Sequence, residues 1–317
     1  MQEFMKIMIA YDGSSRAEAA LRDLQYAGLP RHAEAKLVSV VEPLITTGPP
    51  EAAFSAPVIR LAQNEGQQAK MNVWQGAARL HKTFPAWALD TAVLWGNAAL
   101  QIVTEAENWN PEMIVISPLN RSKFERVLFG SFSRSVVDKA PCTVRVAREV
   151  GDEEASGLRL MIGYDGSQGA EAAVCEVALR QWPPNTEVRL VAAMELGSLD
   201  NIVESAINRQ PAASLFENAE QLLRQAGLRV STSIREGRPK RVLLDEAEEW
   251  AAHCIFVGRN RHNTFSRIFT NSTSAAIASQ APCSVEVVRQ EQQRRWTRAP
   301  AVIHAQFSPS AVGAKEH

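Results

Sequence analysis

The chain has 317 residues, of which 45% are hydrophobic and 22% charged, and its formal net charge at pH 7 is -1. This composition predicts a folded protein of one large or two average domains, and the balanced charge gives no electrostatic reason to expect nucleic acid or an anionic membrane as a partner. No apolar run approaches the roughly 20 residues of a membrane-spanning helix, and the N-terminus lacks a secretory pattern, so we expect a cytoplasmic protein.

The sequence contains an internal repeat. The segment "IAYDGSSRAEAAL" that begins at Ile9 recurs as "IGYDGSQGAEAAV" from Ile162, and Trp109 recurs as Trp250. Near the end of each copy, "APCTVRV" corresponds to "APCSVEV". A repeat of this length indicates two copies of one structural unit rather than a single large domain.

The repeat predicts two domains, in residues 1–150 and 158–289, which we call the first half and the second half. The residues between them, 151–157, form an acidic, glycine-containing linker. The last stretch, 290–317, has no sustained apolar period, which predicts a flexible tail.

Strand-like and helix-like segments alternate within each half. In the first half, the predicted strands and helices are, in order, "KIMIAY", "SSRAEAALRDLQYAG", "AKLVSVV", Val58 to Phe84, "ALDTAVLW", "NAALQIVTEAENW", "MIVIS", "SFSRSVVDKA" and "TVRVA". Ser14 is suited to cap the first helix and Gly28 to end it. Because the central strands are wholly apolar, the alternation predicts an α/β fold with a doubly wound parallel sheet in each half, whose ligands bind at the carboxyl ends of the strands.

Each half carries a polar loop between its fourth strand and the following helix. In the first half "IVISPLN" leads to "FGSFSRSV", and in the second half "IFVGRNR" leads to "TNSTSAAI". Such a loop holds phosphate when several backbone N–H groups and a helix N-terminus converge on it, and glycine permits the close approach. Both loops are therefore candidate phosphate sites.

These loops, the "AYDGS" and "GYDGS" turns after the first strands, and the "APC" before the fifth strands resemble the universal stress protein family over nearly all of residues 5–148 and 158–289. The resemblance implies a five-stranded sheet of order 3-2-1-4-5 in each half. It also implies ATP binding where the loop reads G-x-x-G, nine residues, then G-[S/T]. The family has no established catalytic triad, and its tandem members pair their halves as single-domain members dimerise.

In the first half the positions that match the family's glycine pattern are Ser117, Asn120 and Gly130, followed by Ser131. The spacing and the Gly-Ser helix entry are intact. However, Pro118 removes a backbone donor from the loop, which weakens a site built on donors. The first half therefore has a degenerate form of the motif.

In the second half the matching positions are Gly258, Arg261 and Asn271, followed by Ser272. All loop amides are present here, and asparagine tolerates left-handed backbone angles. Arg261 could clamp a phosphate or fill the phosphate space. Arg259 belongs to a basic group in the same loop that suits either an anion surface or solvated charge. We expect the second half to be the better anion site.

The aspartates after the first strands, Asp12 and Asp165, match the family position beside the adenine, although "DGS" also makes a good turn and helix cap. Three functions remain open: a stress-response protein with residual ATP, AMP or anion binding, a ligand-free scaffold for an unknown protein partner, and a slow ATPase. Because we find no catalytic base, metal cluster or P-loop signature, we expect a protein that is not an enzyme.

Arg145 and Glu286 occupy equivalent positions on the two last strands. If these strands pair antiparallel about a pseudo-twofold axis, the two opposite charges meet across the boundary between the halves, which we call the seam. Such a pair contributes about 0.2–1 kcal/mol, which a like-charged symmetric dimer would lose. We therefore expect the two halves of one chain to pair with each other, and the sequence leaves a homodimer of whole chains open.

Overall fold

The computed structural model of the chain describes residues 4–42, 56–118, 130–149, 157–194, 215–259 and 271–289. Of the predicted linker only Gly157 lies within these residues, and the predicted tail lies outside them. Within the described ranges no helix has the length and apolar character needed to cross a membrane.

The first half follows the predicted alternation of strands and helices. Its elements are β1 (Met5–Ala10), α1 (Ser15–Asp23), β2 (Ala33–Val41), α2 (Ala56–Thr83), β3 (Ala88–Trp95), α3 (Ala98–Trp109), β4 (Met113–Ile116), α4 (Ser131–Lys139) and β5 (Thr143–Val146). Ser14 caps α1 as predicted, but α1 tightens into a 3₁₀ turn at Leu24–Tyr26 before Gly28 ends the segment with a φ of 63°. The first helix therefore lies where it was predicted, but its α-helical part is shorter than the predicted helix.

The second half repeats this order. Its elements are β6 (Arg159–Gly163), α5 (Gln168–Leu179), β7 (Glu187–Met194), α6 (Glu217–Gln225), β8 (Arg229–Glu236), α7 (Pro239–Glu249), β9 (Cys254–Arg259), α8 (Asn271–Gln280) and β10 (Ser284–Arg289). The four cysteines are free and buried.

The ten strands of the described residues form one sheet in the order β3-β2-β1-β4-β5-β10-β9-β6-β7-β8. Within each half the strands are parallel in the predicted order 3-2-1-4-5, and β5 pairs antiparallel with β10. The α/β fold is thus confirmed, with the addition that the two sheets continue into each other. Helices α1 and α2 cover the sheet face that carries Ile7 and Ile9, and α3 and α4 cover the face that carries Met8.

The predicted contact across the seam is present. Arg145 lies opposite Glu286 in the antiparallel register, and its guanidinium donates to the Glu286 carboxylate at 2.6 Å. Both residues are fully buried. The value of about 0.2–1 kcal/mol for a cross-strand pair does not apply here, because burial removes the hydration of both charges and makes the loss of either partner far more costly.

Candidate functional site

The predicted aspartates shape the turns that follow β1 and β6. Asp12 Oδ1 accepts a hydrogen bond from the Ser14 amide at 2.9 Å, and Asp165 Oδ1 accepts one from the Ser167 amide at 3.0 Å. Ser14 in turn accepts from the Ala17 amide and caps α1, and Ser167 caps α5 in the same way. Both "DGS" turns therefore serve as helix entries at the carboxyl ends of their strands.

Each turn lies beside the start of the helix that follows the fourth strand of its half. Strand β1 is hydrogen-bonded to β4, and β6 to β9, so each pair of neighbouring strands ends at the same edge of the sheet. In the first half α1 and α4 leave this edge on opposite faces, which makes it a topological switch point. The structure thus brings Asp12, Ser117, Gly130 and Ser131 to one edge.

The first turn of α4 has no side-chain cap among the described residues. Gly130 is the N-cap and offers no side chain to accept from the helix amides. The hydroxyl of Ser133, in this first turn, is fully buried and has no hydrogen-bond partner among the described residues. Its repeat equivalent, Ser274, donates to the Gly258 carbonyl at 3.3 Å. The two helix entries are therefore alike in position and different in hydrogen bonding.

Gly258 has a packing role that its sequence context does not reveal. A Cβ atom at this position would lie 2.0 Å from the carbonyl carbon and oxygen of Gly169, in the first turn of α5. Only glycine permits this close approach of helix backbone to strand backbone. In the first half the equivalent position is Ser117, which already carries a Cβ atom. Gly258 is thus explained by packing whether or not a ligand binds.

A side chain from α2 covers the turn of the first half. Asn72 Nδ2 donates to the Asp12 carbonyl at 2.8 Å. A Cβ atom on Gly13, whose φ is 80°, would lie 2.6 Å from the Asn72 amide group. The turn beside Asp12 is therefore held by a polar contact from the neighbouring helix, and a ligand at Asp12 would have to share this space.

Behind the turn, the first half holds a cluster of Tyr11, Glu18 and Arg79, in which Tyr11 is buried, Glu18 half-buried and Arg79 exposed. The Tyr11 hydroxyl donates to the Glu18 carboxylate, and the Arg79 guanidinium donates to the same carboxylate and to the Tyr11 oxygen. Burial raises the pKa of Tyr11, and the nearby Arg79 partly offsets this shift. The cluster fixes the tyrosine that precedes Asp12.

The second half has the tyrosine and the glutamate of this cluster without the arginine. Burial is the main cause that raises the pKa of Tyr164 well above its usual value, and the Glu171 carboxylate adds to the shift. Burial alone raises the pKa of Glu171. In the described part of the second half, no cation makes an ion pair with Glu171. The two turns therefore differ in local charge.

Arg259, next to Gly258, is directed towards the first half. Its guanidinium donates to the carbonyls of Val137, at 2.7 Å, and Asp138, in the last turn of α4. Arg148 of the first half makes a similar contact with the second half, where it donates to the Ala278 carbonyl of α8 at 2.6 Å. The interpretation of Arg259 as part of an anion surface or as solvated loop charge is therefore wrong. Its guanidinium binds carbonyl groups at the C-terminal end of α4 across the seam, where a cation is favoured.

Two predicted site residues, Asn120 and Arg261, lie outside the described residues, as do the side chains of Asn271 and Ser272. The backbone of the latter pair forms the start of α8, as predicted. Among the residues that are described, no three His, Cys, Asp or Glu side chains are grouped as a metal site would require.

Comparison with known proteins gives consistent matches. The "Universal stress protein family" profile matches residues 3–148 and 158–289. The chain is 27% identical over 185 residues to universal stress protein Rv2005c of Mycobacterium tuberculosis. The aligned region covers 56% of this chain and 62% of the length of that relative. It is also 28% identical over 148 residues to universal stress protein MJ0531 of Methanocaldococcus jannaschii, covering 46% of this chain and 83% of that protein.

Among solved structures, a universal stress protein from Archaeoglobus fulgidus superposes with a TM-score of 0.63 at 19% identity, covering 90% of this chain and 97% of that one. A protein of unknown function from Pseudomonas aeruginosa gives a TM-score of 0.57 at 14% identity, covering 92% and 98%. At these identities the structures establish the fold alone. With the family profile matched in both halves, the chain belongs to the universal stress protein family.

Proposed function

We propose that the protein is a cytoplasmic, non-enzymatic stress-response protein that binds an adenine nucleotide, ATP or AMP, or another anion at the carboxyl edge of its sheet. Membership of the universal stress protein family supports the stress-response role. The ligand follows from the chemistry of that edge, where a helix N-terminus lies beside an Asp-Gly-Ser turn and favours an anion.

The observation that carries the proposal is the first turn of α4. Gly130 provides no side-chain cap, and within the described residues the buried Ser133 hydroxyl has no hydrogen-bond partner, so the start of α4 can offer donors to an anion. A phosphate or carboxylate is the group that satisfies such donors and is favoured by the helix dipole. Pro118 limits the number of donors that the preceding loop can add.

The second half supports the same chemistry through different residues. Its loop retains every amide, and α8 begins at Asn271, at the position that corresponds to Gly130. Arg261 would add a cation that acts either as a phosphate clamp or as a plug. Both halves are therefore candidate sites, and the experiment must distinguish them.

A ligand-free protein-interaction scaffold is the second candidate function. It is favoured by the contact between Gly258 and Gly169, because the glycine that suggests a phosphate loop is already required by backbone packing. The Asn72 amide against the Asp12 turn also favours it, since this group occupies space beside the adenine-side aspartate. Under this alternative the partner is another protein, and nucleotide has no measurable effect.

The experiment is isothermal titration calorimetry of the full chain with ATP, ADP and AMP, beside four variants. Gly130→Asp and Asn271→Asp each place a carboxylate in the first turn of one helix, where it favours the helix and repels phosphate. Gly130→Ser is the matched control, because it caps α4 without adding charge. Arg261→Gly tests whether Arg261 binds the phosphate as a clamp or fills the phosphate space as a plug.

Loss of binding in Gly130→Asp but not in Gly130→Ser would assign the site to the first half. Loss in Asn271→Asp would assign it to the second half. Weaker binding in Arg261→Gly would identify a clamp, and gained binding would identify a plug. No heat of binding in the wild type or in any variant would remove the nucleotide proposal and leave the scaffold.

A further inference from the structure

Five buried charged side chains form a continuous line across the seam. In spatial order they alternate in sign: Asp23, Arg145, Glu286, Arg180 and Glu176. Arg145 donates to Asp23 and to Glu286 at 2.6 Å each, and Arg180 donates to Glu286 at 2.6 Å and to Glu176 at 2.9 Å. The side chains are at most 5% exposed. We call this set the charge line.

The charge line does not obey the symmetry of the repeat. Asp23 and Glu176 are repeat equivalents of the same sign, whereas Arg145 and Glu286 are equivalents of opposite sign. Arg180 corresponds to an uncharged residue, Ala27, whose carbonyl accepts from Arg180 at 2.9 Å across the seam. At the centre of the charge line, the first half therefore contributes a cation, Arg145, and the second half contributes a carboxylate, Glu286.

A symmetric pairing of either half with a second copy of itself would bring like charges together. Two first halves would set Arg145 against Arg145, and two second halves would set Glu286 against Glu286. Because these positions are fully buried, water could not hydrate the unpaired charges. A buried like-charge contact is an efficient means of excluding a wrong partner.

We propose that the charge line selects the partner of each half: the edge strand β5 accepts an edge that carries a carboxylate at the position of Glu286, and it excludes a second copy of itself. The partner that fits is the second half of this chain, in the same copy or in another one. Domain exchange between two copies is thus permitted, whereas like-with-like pairing is excluded.

The test uses two full-length variants with opposite defects. Glu286→Arg places Arg145 against a new arginine, and Arg145→Glu places a new glutamate against Glu286, so neither variant can form the native seam within one copy. Mixed together, the first half of the Glu286→Arg chain and the second half of the Arg145→Glu chain can re-form it. Arg224→Glu and Glu220→Arg reverse an exposed ion pair on α6 and are the matched controls.

Native mass spectrometry should detect a species with one copy of each seam variant in the mixture, and no like-with-like dimer in either variant alone. Hydrogen exchange should show the amides of β5 and β10 at least tenfold less protected in each variant alone, and protected again in the mixture. The control pair should behave as wild type. Wild-type protection in the separate variants, or no mixed species from folded variants, would overturn the proposal.

Circular dichroism establishes whether each variant is folded. If a reversal prevents folding, Glu286→Gln keeps the size of the side chain and removes its charge. The proposal then expects faster exchange at β5 and β10 than at the β1–β2 ladder of the same protein. Unchanged protection of the seam amides in Glu286→Gln would equally overturn it. None of these readouts requires a nucleotide, so the result is independent of the proposed ligand.

Discussion

Gly258 in β9 and Gly169 in α5 touch through backbone atoms, with space for no side chain between them. This contact brings the start of α5 directly onto the strand that leads into the candidate loop of the second half. A glycine in a phosphate loop and a glycine at a helix–strand contact look identical in a sequence. Gly258 therefore cannot by itself distinguish a ligand site from close packing.

Gly258→Ala should destabilise the second half by about 1–3 kcal/mol, the usual cost of forcing an extra methyl group into a packed contact. Ser117→Ala, at the equivalent position of the first half, should change stability by less than about 0.5 kcal/mol, because a Cβ atom is already present. Urea unfolding of both variants measures the difference. Equal stability of Gly258→Ala and wild type would show that α5 can move aside.

The fold was predictable because the repeat and the alternation of apolar strands with helices are visible in the sequence. The meeting of Arg145 and Glu286 was predictable for the same reason, since their positions correspond in the two copies. The other partners of Arg145 and Glu286 in the charge line were not predictable from the sequence. Asp23 and Arg180 lie at helix ends whose distance from the seam depends on tertiary packing, and no local pattern reports it.

The site was predictable in outline only. The order of the elements places the Asp12 turn and the start of α4 at one edge, and both are there. The contact of Asn72 with that turn and the reach of Arg259 to α4 were not predictable. Each depends on the direction of one long or polar side chain across a tertiary contact.

Arg145→Met should cost about 3–5 kcal/mol, because it leaves the carboxylates of Asp23 and Glu286 buried without their shared cation. The control is Arg224→Met, which removes an exposed ion pair within α6 and should cost about 0.3–0.5 kcal/mol. Guanidinium chloride unfolding of both variants gives the comparison. A loss in Arg145→Met as small as that of Arg224→Met would contradict the structural importance of the seam charges.

Stability should fall in acid through the carboxylate of Glu286. Burial opposes its ionisation, but Arg180 and Arg145 outweigh burial and hold the pKa of Glu286 below its usual value of 4.5. A carboxyl group with a lowered folded-state pKa contributes stability that is complete above the unfolded value and is lost as pH falls through the folded value.

The measurement is the urea midpoint as a function of pH for the wild type and Glu286→Gln. The variant should be less stable at neutral pH, and the gap should narrow once the pH falls below 4.5. A gap that stays constant in acid would mean that the charge of Glu286 contributes nothing to the pH dependence.

Arg259→Gln should weaken the seam on the face that carries α4 and α8. The substitution removes a cation that donates to two carbonyls at the end of α4, and a charge-assisted hydrogen bond of this kind contributes about 1.5–3 kcal/mol. Thermal unfolding monitored by calorimetry measures the loss. Arg241→Gln is a suitable control, because Arg241 is exposed and pairs with Asp245 of its own helix.

Glu171→Gln and Glu18→Gln should have opposite effects at neutral pH, although the two glutamates are repeat equivalents. Burial raises the pKa of Glu171, so the native state loses stability as pH rises from 4.5 through that raised value. Glutamine removes this cost, and Glu171→Gln should be more stable than wild type at neutral pH and equal to it in acid.

Glu18→Gln should instead be less stable by up to about 1 kcal/mol, because it loses the ion pair with Arg79. Urea unfolding of both variants at two pH values on either side of 4.5 tests the pair, and a stabilised Glu18→Gln would refute the role of Arg79 in holding that carboxylate.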